Sequence, residues 1–287
     1  MTFAVIGATG QLGRDTLDAL VARGVLASDV IAIGRNATAL HEIREQGFQA
    51  VAADMNAQQS IESALSGVSE LLLISGSEVG RRLEQHKSTI DAATRAGVRR
   101  VAYTSVLNAA APGLLIAAEH KATEEYLVAS GLAYTMLRNA WYTENHQQDF
   151  TAAATTGKIV SNLGDGRIAT ATRGDLAEAA AVVLAEKDKH DGTIYELSGD
   201  SAWNYHEFAA SAAEVLGHDV EYIAVEDETY AQQLQSGGMP ADTAGFLVAL
   251  NANLRAGLLG TTTSDLATLI EHPTTPLPAI FRQWNAS

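Results

Sequence analysis

Three glycines near the start of the chain could hold the pyrophosphate of a dinucleotide. Gly7, Gly10 and Gly13 lie in "GATGQLG", between an apolar segment and a segment whose apolar residues recur at helical spacing. Glycines at such a turn let the backbone approach a pyrophosphate, and the following helix adds N–H donors and its positive dipole end. The spacing alone is a weak signal, since a plain tight turn can also use it. Its place between a strand and a helix is what predicts dinucleotide binding.

An arginine follows the second apolar segment, where a carboxylate would be typical of NAD binding. The sequence there is "AIGRN", so Arg35 follows Gly34 and neither Asp nor Glu stands beside it. An acidic residue would bind the ribose 2′-hydroxyl of NAD, whereas a guanidinium can bind a 2′-phosphate through two hydrogen bonds. Arg35 therefore predicts NADP(H), with a solvated surface arginine as the alternative. For Arg14, just after the third glycine, the two interpretations are equally good.

Polar residues end three further apolar segments, at positions that a parallel sheet would bring to one edge. Asp54 ends "QAVAAD" and could meet the adenine amino group or serve only in a turn. Ser75 ends "ELLLIS" and is followed by Gly76 and Ser77, and we expect the glycine to let the cofactor pass closely. Tyr103, Thr104 and Ser105 end "RRVAYTS", near the expected nicotinamide. Hydroxyl groups at strand ends often only satisfy backbone groups, so each of these assignments has a structural alternative.

No lysine of the chain follows a tyrosine at the spacing that carbonyl reduction commonly uses. Many dinucleotide-dependent reductases place a tyrosine four residues before a helical lysine, but Ala117 stands four residues before Lys121, and the other four lysines also lack the tyrosine. Either the protein binds NADP(H) without chemistry, or its substrate needs no strong acid. Reduction of a simple ketone builds charge on an alkoxide, so a positioned acid contributes a factor of about 10²–10⁴. A quinone or a cationic dye spreads or cancels the charge of the arriving hydride.

The stretch "RNAWYTEN" could form a site for a flat aromatic acceptor. Asn139 supplies amide donors, and Trp141 with Tyr142 supplies flat apolar surface at the end of the sixth apolar segment. The alternative is an aromatic pair that only packs a domain junction. His120 and Lys121 could donate hydrogen bonds or protons in this site, although a single histidine on a helix is more often structural.

Seven apolar segments alternate with helical patterns along the chain. Strands made of continuous apolar residues are typical of parallel sheets that are buried on both faces. The predicted fold class is therefore α/β, with a doubly wound parallel sheet. The predicted strands are 3–7, 30–34, 49–54, 70–75, 99–105, 133–139 and 193–199.

The alternation loosens beyond the sixth segment. Gly164 and Gly166, at the end of "KIVSNLGDG", predict hairpin-like pieces, and from residue 200 the pattern is mainly helical. We predict a cofactor-binding domain over residues 1–150, with 165–200 returning to it. Residues 200–287 are predicted to form a smaller C-terminal domain that caps the ligand-binding edge of the sheet.

The composition narrows the class of partner. The chain of 287 residues has no cysteine, which excludes disulfides, thiolate metal ligands and cysteine nucleophiles and is compatible with the cytoplasm. Its formal net charge of −15 repels nucleic-acid phosphates and anionic lipids, so we expect neither as a partner. No apolar run reaches the ~18 residues of a membrane span, and the N-terminus lacks the features of a signal peptide. We therefore expect a cytoplasmic protein.

Motifs spread over most of the chain resemble one family. The chain is similar to the NmrA-like atypical short-chain dehydrogenases, most of all to their bacterial NADPH-dependent quinone oxidoreductases and next to the triphenylmethane dye reductases. The resemblance runs from Met1 to about Pro276, and "RNAWYTEN" and "LLLISGSEVG" are much more specific than the glycine motif. The motifs that carry it are "GATGQLG", "AIGRN", "LLLISGSEVG", "AYTS", "EHKATEE", "LRNAWYTEN", "ATRGDLA", "YELSGDSAW" and "HPTTPL".

The resemblance implies a Rossmann-like NADP-binding domain, a small mainly helical C-terminal domain and a quinone pocket in the cleft between them. Two departures stand out, because Ala140 replaces the glycine of the family's "RNGWY" and Lys121 follows "EH". The replacement could narrow the pocket. The family's cofactor positions correspond here to Gly7, Ala8, Thr9, Gly10, Gln11, Leu12, Arg35, Ser75, Gly76, Ser77, Asn139, Ala140, Trp141, Tyr142, Thr143 and Glu144.

We therefore expect an NADPH-dependent oxidoreductase that transfers hydride to a quinone or a related electrophilic aromatic acceptor in the interdomain cleft. Asn139 would position the nicotinamide or the quinone, Trp141 and Tyr142 would form a wall, and protons would come from solvent, His120 or Lys121. The alternatives are an NADP(H)-sensing regulator without turnover and a triarylmethane or azo dye reductase. NADPH is the expected cofactor, without metal or flavin, and a homodimer is one expected assembly.

Overall fold

The computed structural model describes residues 2–186 and 188–286. Three residues that fall within the predictions above lie outside the described residues. They are Met1 and Ser287, at the ends of the predicted domains, and Lys187, one of the lysines without a preceding tyrosine. The strands of the described part are β1 (Phe3–Ile6), β2 (Val30–Gly34), β3 (Gln49–Ala52), β4 (Glu70–Leu73), β5 (Arg100–Val106), β6 (Ala133–Asn139), β7 (Lys158–Ser161), β8 (Thr193–Leu197) and β9 (Glu221–Ala224).

Helices separate most of these strands, and two short 3₁₀ helices lie at Ala27–Asp29 and Thr143–His146. The α-helices of the described part are α1 (Gln11–Ala22), α2 (Ala37–Glu45), α3 (Gln58–Ala64), α4 (Arg82–Ala96), α5 (Ala117–Ala129), α6 (Gln147–Thr156), α7 (Arg173–Ala185), α8 (Tyr205–Leu216), α9 (Asp227–Ser236), α10 (Ala241–Arg255), α11 (Asp265–Ile270) and α12 (Leu277–Asn285).

Seven strands form one parallel sheet in the order β3-β2-β1-β4-β5-β6-β8. The order reverses between β1 and β4, and open α/β sheets bind ligands in the crevice at such a reversal. The predicted doubly wound α/β class and the seven predicted strands are confirmed. Residues of β1, β4 and β5 are buried throughout, as continuous apolar strands with helices on both faces require.

The predicted hairpin around Gly164 and Gly166 is wrong. The strand β7 instead pairs in parallel with β9, with Lys158 opposite Glu221, in a separate two-stranded sheet. The glycines serve a close approach rather than a reversal of the strand. A Cβ atom on Gly166 would lie 2.6 Å from Cα of Arg255, so only glycine lets the end of α10 pack there.

The C-terminal part of the described chain packs against the sheet through helices and aromatic rings. Asn204 and Glu207 form a capping box at the start of α8, and Phe208 of that helix packs on Phe281 of α12. A hydrogen bond from the Leu115 backbone N–H to Asn253 ties the loop before α5 to α10. The predicted division into two domains stays a prediction, although β8 does return to the main sheet.

No helix in residues 2–186 and 188–286 has the length and apolar character needed to cross a membrane.

Candidate functional site

The turn between β1 and α1 has a shape that side chains would prevent. Gly7 has φ +89°, and a Cβ atom there would lie 3.0 Å from Cβ of Ile74. A Cβ atom on Gly13 would lie 2.3 Å from the carbonyl oxygen of Gly7. Gly10, directly before α1, has no side chain that could cap the first N–H groups of the helix. The turn therefore brings bare backbone and a free helix N-terminus to the sheet crevice, which suits a pyrophosphate.

A cavity of about 300 Å³ opens beside this turn, and we call it the first cavity. It lies at the carboxyl ends of β1, β2, β3 and β4, across the reversal of strand order. Seven of the residues predicted to bind the cofactor line it. The lining residues are Ile6, Gly7, Thr9, Gly10, Ile33, Gly34, Arg35, Ala53, Met55, Ile74, Ser75, Gly76 and Ser77.

Four other residues of the predicted glycine motif lie outside the cavity lining. Ala8 and Leu12 are buried in the hydrophobic core. Gly13 packs against Gly7 as described above. Gln11 is exposed at the start of α1. The motif therefore contains residues that face the cavity, residues that hold the shape of the turn, and the exposed Gln11.

Three further predicted residues make local contacts and are not among the lining residues of the first cavity. Asp54 Oδ1 accepts hydrogen bonds of 2.9 Å from both the backbone N and Nδ2 of Asn56, and the backbone bond is the main cause of its lowered pKa. Thr104 accepts a 2.9 Å bond from the Ser75 backbone N–H, which ties β4 to β5. Arg14 pairs with Glu42 at 2.7 Å. These contacts match the structural alternatives for Asp54, Thr104 and Arg14.

Arg35 lines the first cavity but already has a carboxylate partner. Its Nη1 lies 3.0 Å from Oε1 of Glu78, and Nη1 of Arg81 lies 3.3 Å from Oε2 of the same carboxylate. Nη2 of Arg81 also donates to Asn56 Oδ1 at 2.9 Å. A chain of polar side chains therefore runs from Arg35 to Asp54 across the loops that follow β2, β3 and β4.

A second cavity, of about 330 Å³, adjoins the first and shares Ser75 and Ser77 with it. It contains Asn139, Ala140, Trp141, Tyr142 and His120 of the predicted site. Sequence reasoning did not assign Arg82, Arg173 or Phe246 to it. The lining residues are Ser75, Ser77, Val79, Arg82, Ser105, Val106, Ile116, His120, Asn139, Ala140, Trp141, Tyr142, Asn145, Arg173 and Phe246.

Two polar atoms of the second cavity lack partners among the described residues. Ser105 Oγ and Asn139 Oδ1 are buried without a hydrogen bond, in side chains that are each 5% exposed. The two residues lie on neighbouring strands, where Ser105 pairs with Arg138 and Val106 with Asn139. Buried polar atoms are normally satisfied, so these two atoms are available for hydrogen bonds with a bound molecule.

A tyrosine hydroxyl reaches the second cavity's histidine from a strand rather than from the lysine helix. Tyr103 of β5 is fully buried, and its Oη lies 2.8 Å from Nδ1 of His120. Desolvation is the main cause that lowers the pKa of His120 to about 3, and Arg82 and His86 add to it. His120 is therefore neutral at physiological pH and can act there as a hydrogen-bond donor or acceptor rather than as a cationic acid.

Lys121 points away from this arrangement. Its side chain is 53% exposed and pairs with Glu125 one turn along α5. It is not among the residues that line either cavity. The placement gives no support to the predicted donor role, because the neighbouring His120 occupies the buried face of the helix instead.

The aromatic segment after β6 is held by contacts beneath the second cavity. The guanidinium of Arg173, at the start of α7, lies 4.5 Å over the ring of Tyr142. Glu144 accepts a 2.8 Å bond from the Arg173 backbone N–H and lies 3.5 Å from its Nη1, and desolvation is the main cause that raises its pKa. Thr143 is buried and bonds Thr170 at 3.0 Å. Thr143 and Glu144 thus support the cavity wall and are not among its lining residues.

Two guanidiniums therefore face one small cavity in a strongly acidic protein. Arg82 donates from Nε to the carbonyl oxygen of Gly76 at 2.7 Å, and its Nη1 lies 3.8 Å from Glu119. Arg173 has the contacts described above. Among the described residues, each guanidinium has one ion pair, at 3.8 Å for Arg82 and 3.5 Å for Arg173, and Arg173 Nη2 also donates to Asn145 Oδ1 at 3.0 Å. A guanidinium has five N–H groups, so each retains donors for a ligand oxygen.

Across the two described stretches of the chain, no three His, Asp or Glu side chains come together as a metal site would need.

Comparisons with known proteins agree with this geometry. Residues 7–187 match the model of a family described as NAD(P)H-binding. The chain is 43% identical to quinone oxidoreductase 2 of Escherichia coli (strain K12) over 274 residues, which cover 96% of this chain and 95% of that protein. It is 26% identical to an NAD(P)H azoreductase of Xenophilus azovorans over 90% of each chain.

Solved structures are similar over nearly the whole chain. The crystal structure of an E. coli NADPH-dependent quinone oxidoreductase in complex with NADPH superimposes with a TM-score of 0.93 at 41% identity and covers 98% of this chain and 99% of that one. The triphenylmethane reductase of Citrobacter sp. superimposes with a TM-score of 0.95 at 34% identity over 100% of both chains.

Proposed function

Because the chain belongs to the NAD(P)H-binding family, as its resemblance to the NmrA-like atypical short-chain dehydrogenases predicted, we propose that it is an NADPH-dependent quinone oxidoreductase. The acceptor is a quinone bound in the second cavity, beside a cofactor that extends from the first cavity. The name of the E. coli relative supports the reaction class, and the site of this chain supports the details.

The observation that carries the proposal is that the two cavities adjoin. They share Ser75 and Ser77, so a dinucleotide that begins at the glycine turn can end within reach of the second cavity. There Trp141 and Tyr142 offer flat apolar surface, and Arg82 and Arg173 offer N–H donors. A flat, weakly polar ring with an oxygen at each end fits such a lining.

The residues of the first cavity fit the cofactor. Gly7, Gly13 and Gly34 stand where a Cβ atom would meet neighbours at 3.0, 2.3 and 2.6 Å, so the turn is shaped for backbone approach. Arg35 at the far end of this cavity fits a 2′-phosphate. In the second cavity, Asn139 Oδ1 and Ser105 Oγ fit the amide hydrogens of the nicotinamide carboxamide. When bound, NADPH would supply a hydride to the acceptor.

The residues of the second cavity would stabilise the charge that the acceptor gains. A quinone that receives a hydride becomes an oxyanion, and donors already in place around it lower the barrier. Arg82 and Arg173 supply positive charge, and the neutral imidazole of His120 supplies a hydrogen bond that Tyr103 orients. The proton that completes the hydroquinone comes from solvent, because His120 is uncharged and Tyr103, whose pKa burial raises, does not release its own proton.

A dye reductase is the second candidate, favoured by the similarity to the triphenylmethane reductase. The two guanidiniums argue against it, since Arg82 and Arg173 would repel a cationic dye and attract an acceptor that becomes negative. If the protein is instead an NADP(H)-sensing regulator without turnover, it should bind NADPH but not oxidise it with any acceptor.

The test is NADPH oxidation by the purified protein with benzoquinone, a naphthoquinone, a cationic triarylmethane dye or a simple ketone, with NADH in parallel. We expect turnover with the quinones, little with the dye and none with the ketone. Dye turnover that exceeds quinone turnover would favour the dye reductase. NADPH binding with no oxidation of any acceptor would favour the regulator.

A further inference from the structure

Two arginines converge on one carboxylate beside the first cavity. Arg35 and Arg81 bind opposite oxygens of Glu78, at 3.0 and 3.3 Å. Guanidiniums gathered around one anion are also the arrangement by which proteins bind phosphate. Glu78 immediately follows Ser77 of the cavity lining, and its carboxylate contacts Arg35 of the same lining.

Arg81 is held in place from its other side. Its Nη2 donates to Asn56 Oδ1 at 2.9 Å, and the backbone N–H and Nδ2 of Asn56 both bond Asp54. The guanidinium is therefore positioned before any ligand arrives, and such positioning reduces the ordering cost of binding. This gives Asp54, at the end of β3, a supporting part in the same cluster.

We propose that Glu78 occupies the place of the cofactor's 2′-phosphate and that Arg81 is a second ligand of that phosphate. The proposal rests on the proposed use of NADPH. A carboxylate and a phosphate dianion that bind the same guanidiniums repel each other. Glu78 must therefore move away from both arginines before the 2′-phosphate of NADPH can bind them. NADH carries no 2′-phosphate, and its 2′-hydroxyl can donate to Glu78 where the carboxylate stands. Glu78 is therefore a specificity-determining residue that narrows the preference for NADPH over NADH.

We expect a modest effect on cofactor affinity, because the cluster of Arg35, Arg81 and Glu78 is open to solvent. The side chains of Arg35, Arg81 and Glu78 are 60%, 65% and 32% exposed. Exposed ion pairs contribute little, and hydrogen bonds between charged groups contribute somewhat more, so we expect changes of about threefold to tenfold in dissociation constants. Salt should reduce them further.

The test measures binding rather than turnover, with two probes that differ only in the phosphate. Calorimetry with adenosine 2′,5′-bisphosphate and with adenosine 5′-monophosphate is performed on the wild type, E78Q, R81Q and E42Q. Glu42 pairs with Arg14 outside both cavities, so E42Q removes the same charge from another surface arginine.

We expect E78Q to tighten the bisphosphate about fivefold, R81Q to weaken it about tenfold, and neither to change the monophosphate by more than about twofold. E42Q should leave both probes at wild-type affinity. The proposal is overturned if E78Q fails to tighten the bisphosphate, if E42Q tightens it equally, or if R81Q weakens both probes alike. A protein that binds the bisphosphate in this pattern but oxidises no NADPH with quinones would contradict the proposed function while leaving Glu78's role intact.

Discussion

The first cavity is shaped by backbone, whereas the second is shaped by side chains. In the first, the glycine turn leaves no room for a Cβ atom, which would lie 3.0 Å from Ile74 on Gly7 and 2.6 Å from Thr9 on Gly34, and Gly13, outside the lining, lies against the backbone of Gly7. In the second, the lining comes from the loop after β4, α4, β5, α5, the end of β6 and the segment after it, α7 and α10, and it includes the side chains of Arg82, His120 and Arg173. A wall of backbone tolerates almost no substitution, whereas a wall of side chains can be changed one residue at a time. We therefore expect cofactor binding to be fixed and acceptor choice to be adjustable.

The sharpest test of the backbone wall is Gly13→Ala. The added Cβ would lie 2.3 Å from the carbonyl oxygen of Gly7, and backbone cannot yield as a flexible side chain can. We expect a loss of NADPH affinity of about 100-fold or more and a cost of about 1–3 kcal/mol in the free energy of unfolding. Fluorescence titration of NADPH and thermal melting measure the two effects.

Gly174→Ala is the matched control for that variant. Its nearest neighbour would be Thr172 Oγ1 at 3.8 Å, so the new methyl group fits. Equal NADPH affinity in both variants would show that the backbone at Gly13 does not shape the first cavity.

For the side-chain wall, the corresponding change is Asn139→Ala. It removes the unpaired Oδ1 from the second cavity and leaves the glycine turn unchanged. We expect kcat/KM for a quinone to fall about 10- to 100-fold, as befits the loss of one buried hydrogen-bonding group. Binding of adenosine 2′,5′-bisphosphate should remain at the wild-type level. Equal losses of kcat/KM and of bisphosphate affinity would instead show that the two cavities act as one cooperative site.

The pH dependence of stability tests the buried histidines that join the two walls. His86 bonds Gly76 of the first cavity and His120 lines the second, and burial lowers the pKa of each to about 3. The unfolded chain takes up these protons first, so stability is complete above pH 6.5 and falls as pH falls from there towards 3. Each histidine should contribute a loss of about 1.4 kcal/mol per pH unit, or tenfold in the unfolding constant, within that window.

Melting temperatures between pH 7.5 and pH 5 provide the measurement. His120→Asn should flatten the dependence, and His41→Asn, at a position with a 71% exposed side chain, should leave it as in the wild type. A wild-type melting temperature that does not fall between pH 6.5 and 5 would contradict the lowered pKa values.

The smallest expected effect is that of Lys121→Ala. The ammonium pairs with Glu125 on the surface of α5 and reaches neither cavity. We expect kcat/KM with quinones to stay within about twofold of the wild type, since exposed ion pairs contribute little. A tenfold loss would restore the proton-donor role predicted from the sequence.

The sequence predicted the first cavity well and the second only in part, for a physical reason. The glycine turn and Arg35 lie at the ends of successive strands, so local pattern and the rule for parallel sheets locate them together. Arg82, Arg173 and Phe246 are distant in the chain and meet only because α4, α7 and α10 fold to one place. Their types carry no local signal, although Arg173 stands in "ATRGDLA", one of the segments that resemble the family.

The same limit explains the wrong hairpin. Gly164 and Gly166 have the composition of a turn between paired strands, and nothing local shows that Gly166 leaves room for Arg255. Likewise, the tyrosine-to-lysine spacing concerns residues four positions apart in one helix, whereas the tyrosine that meets His120 comes from β5. Patterns within one element leave a signal in the local sequence, and contacts between distant elements do not.

The loop shared by the two cavities has a consequence for kinetics. Ser75 and Ser77 line both spaces, which are adjacent but separate, so both reactants can be present at the same time. Double-reciprocal plots at several fixed NADPH concentrations should then intersect, as a ternary complex requires. Parallel lines would instead describe an enzyme that releases its first product before the second reactant enters. Adenosine 2′,5′-bisphosphate, used as a dead-end inhibitor, should compete with NADPH and not with the quinone, because only the first cavity accepts it.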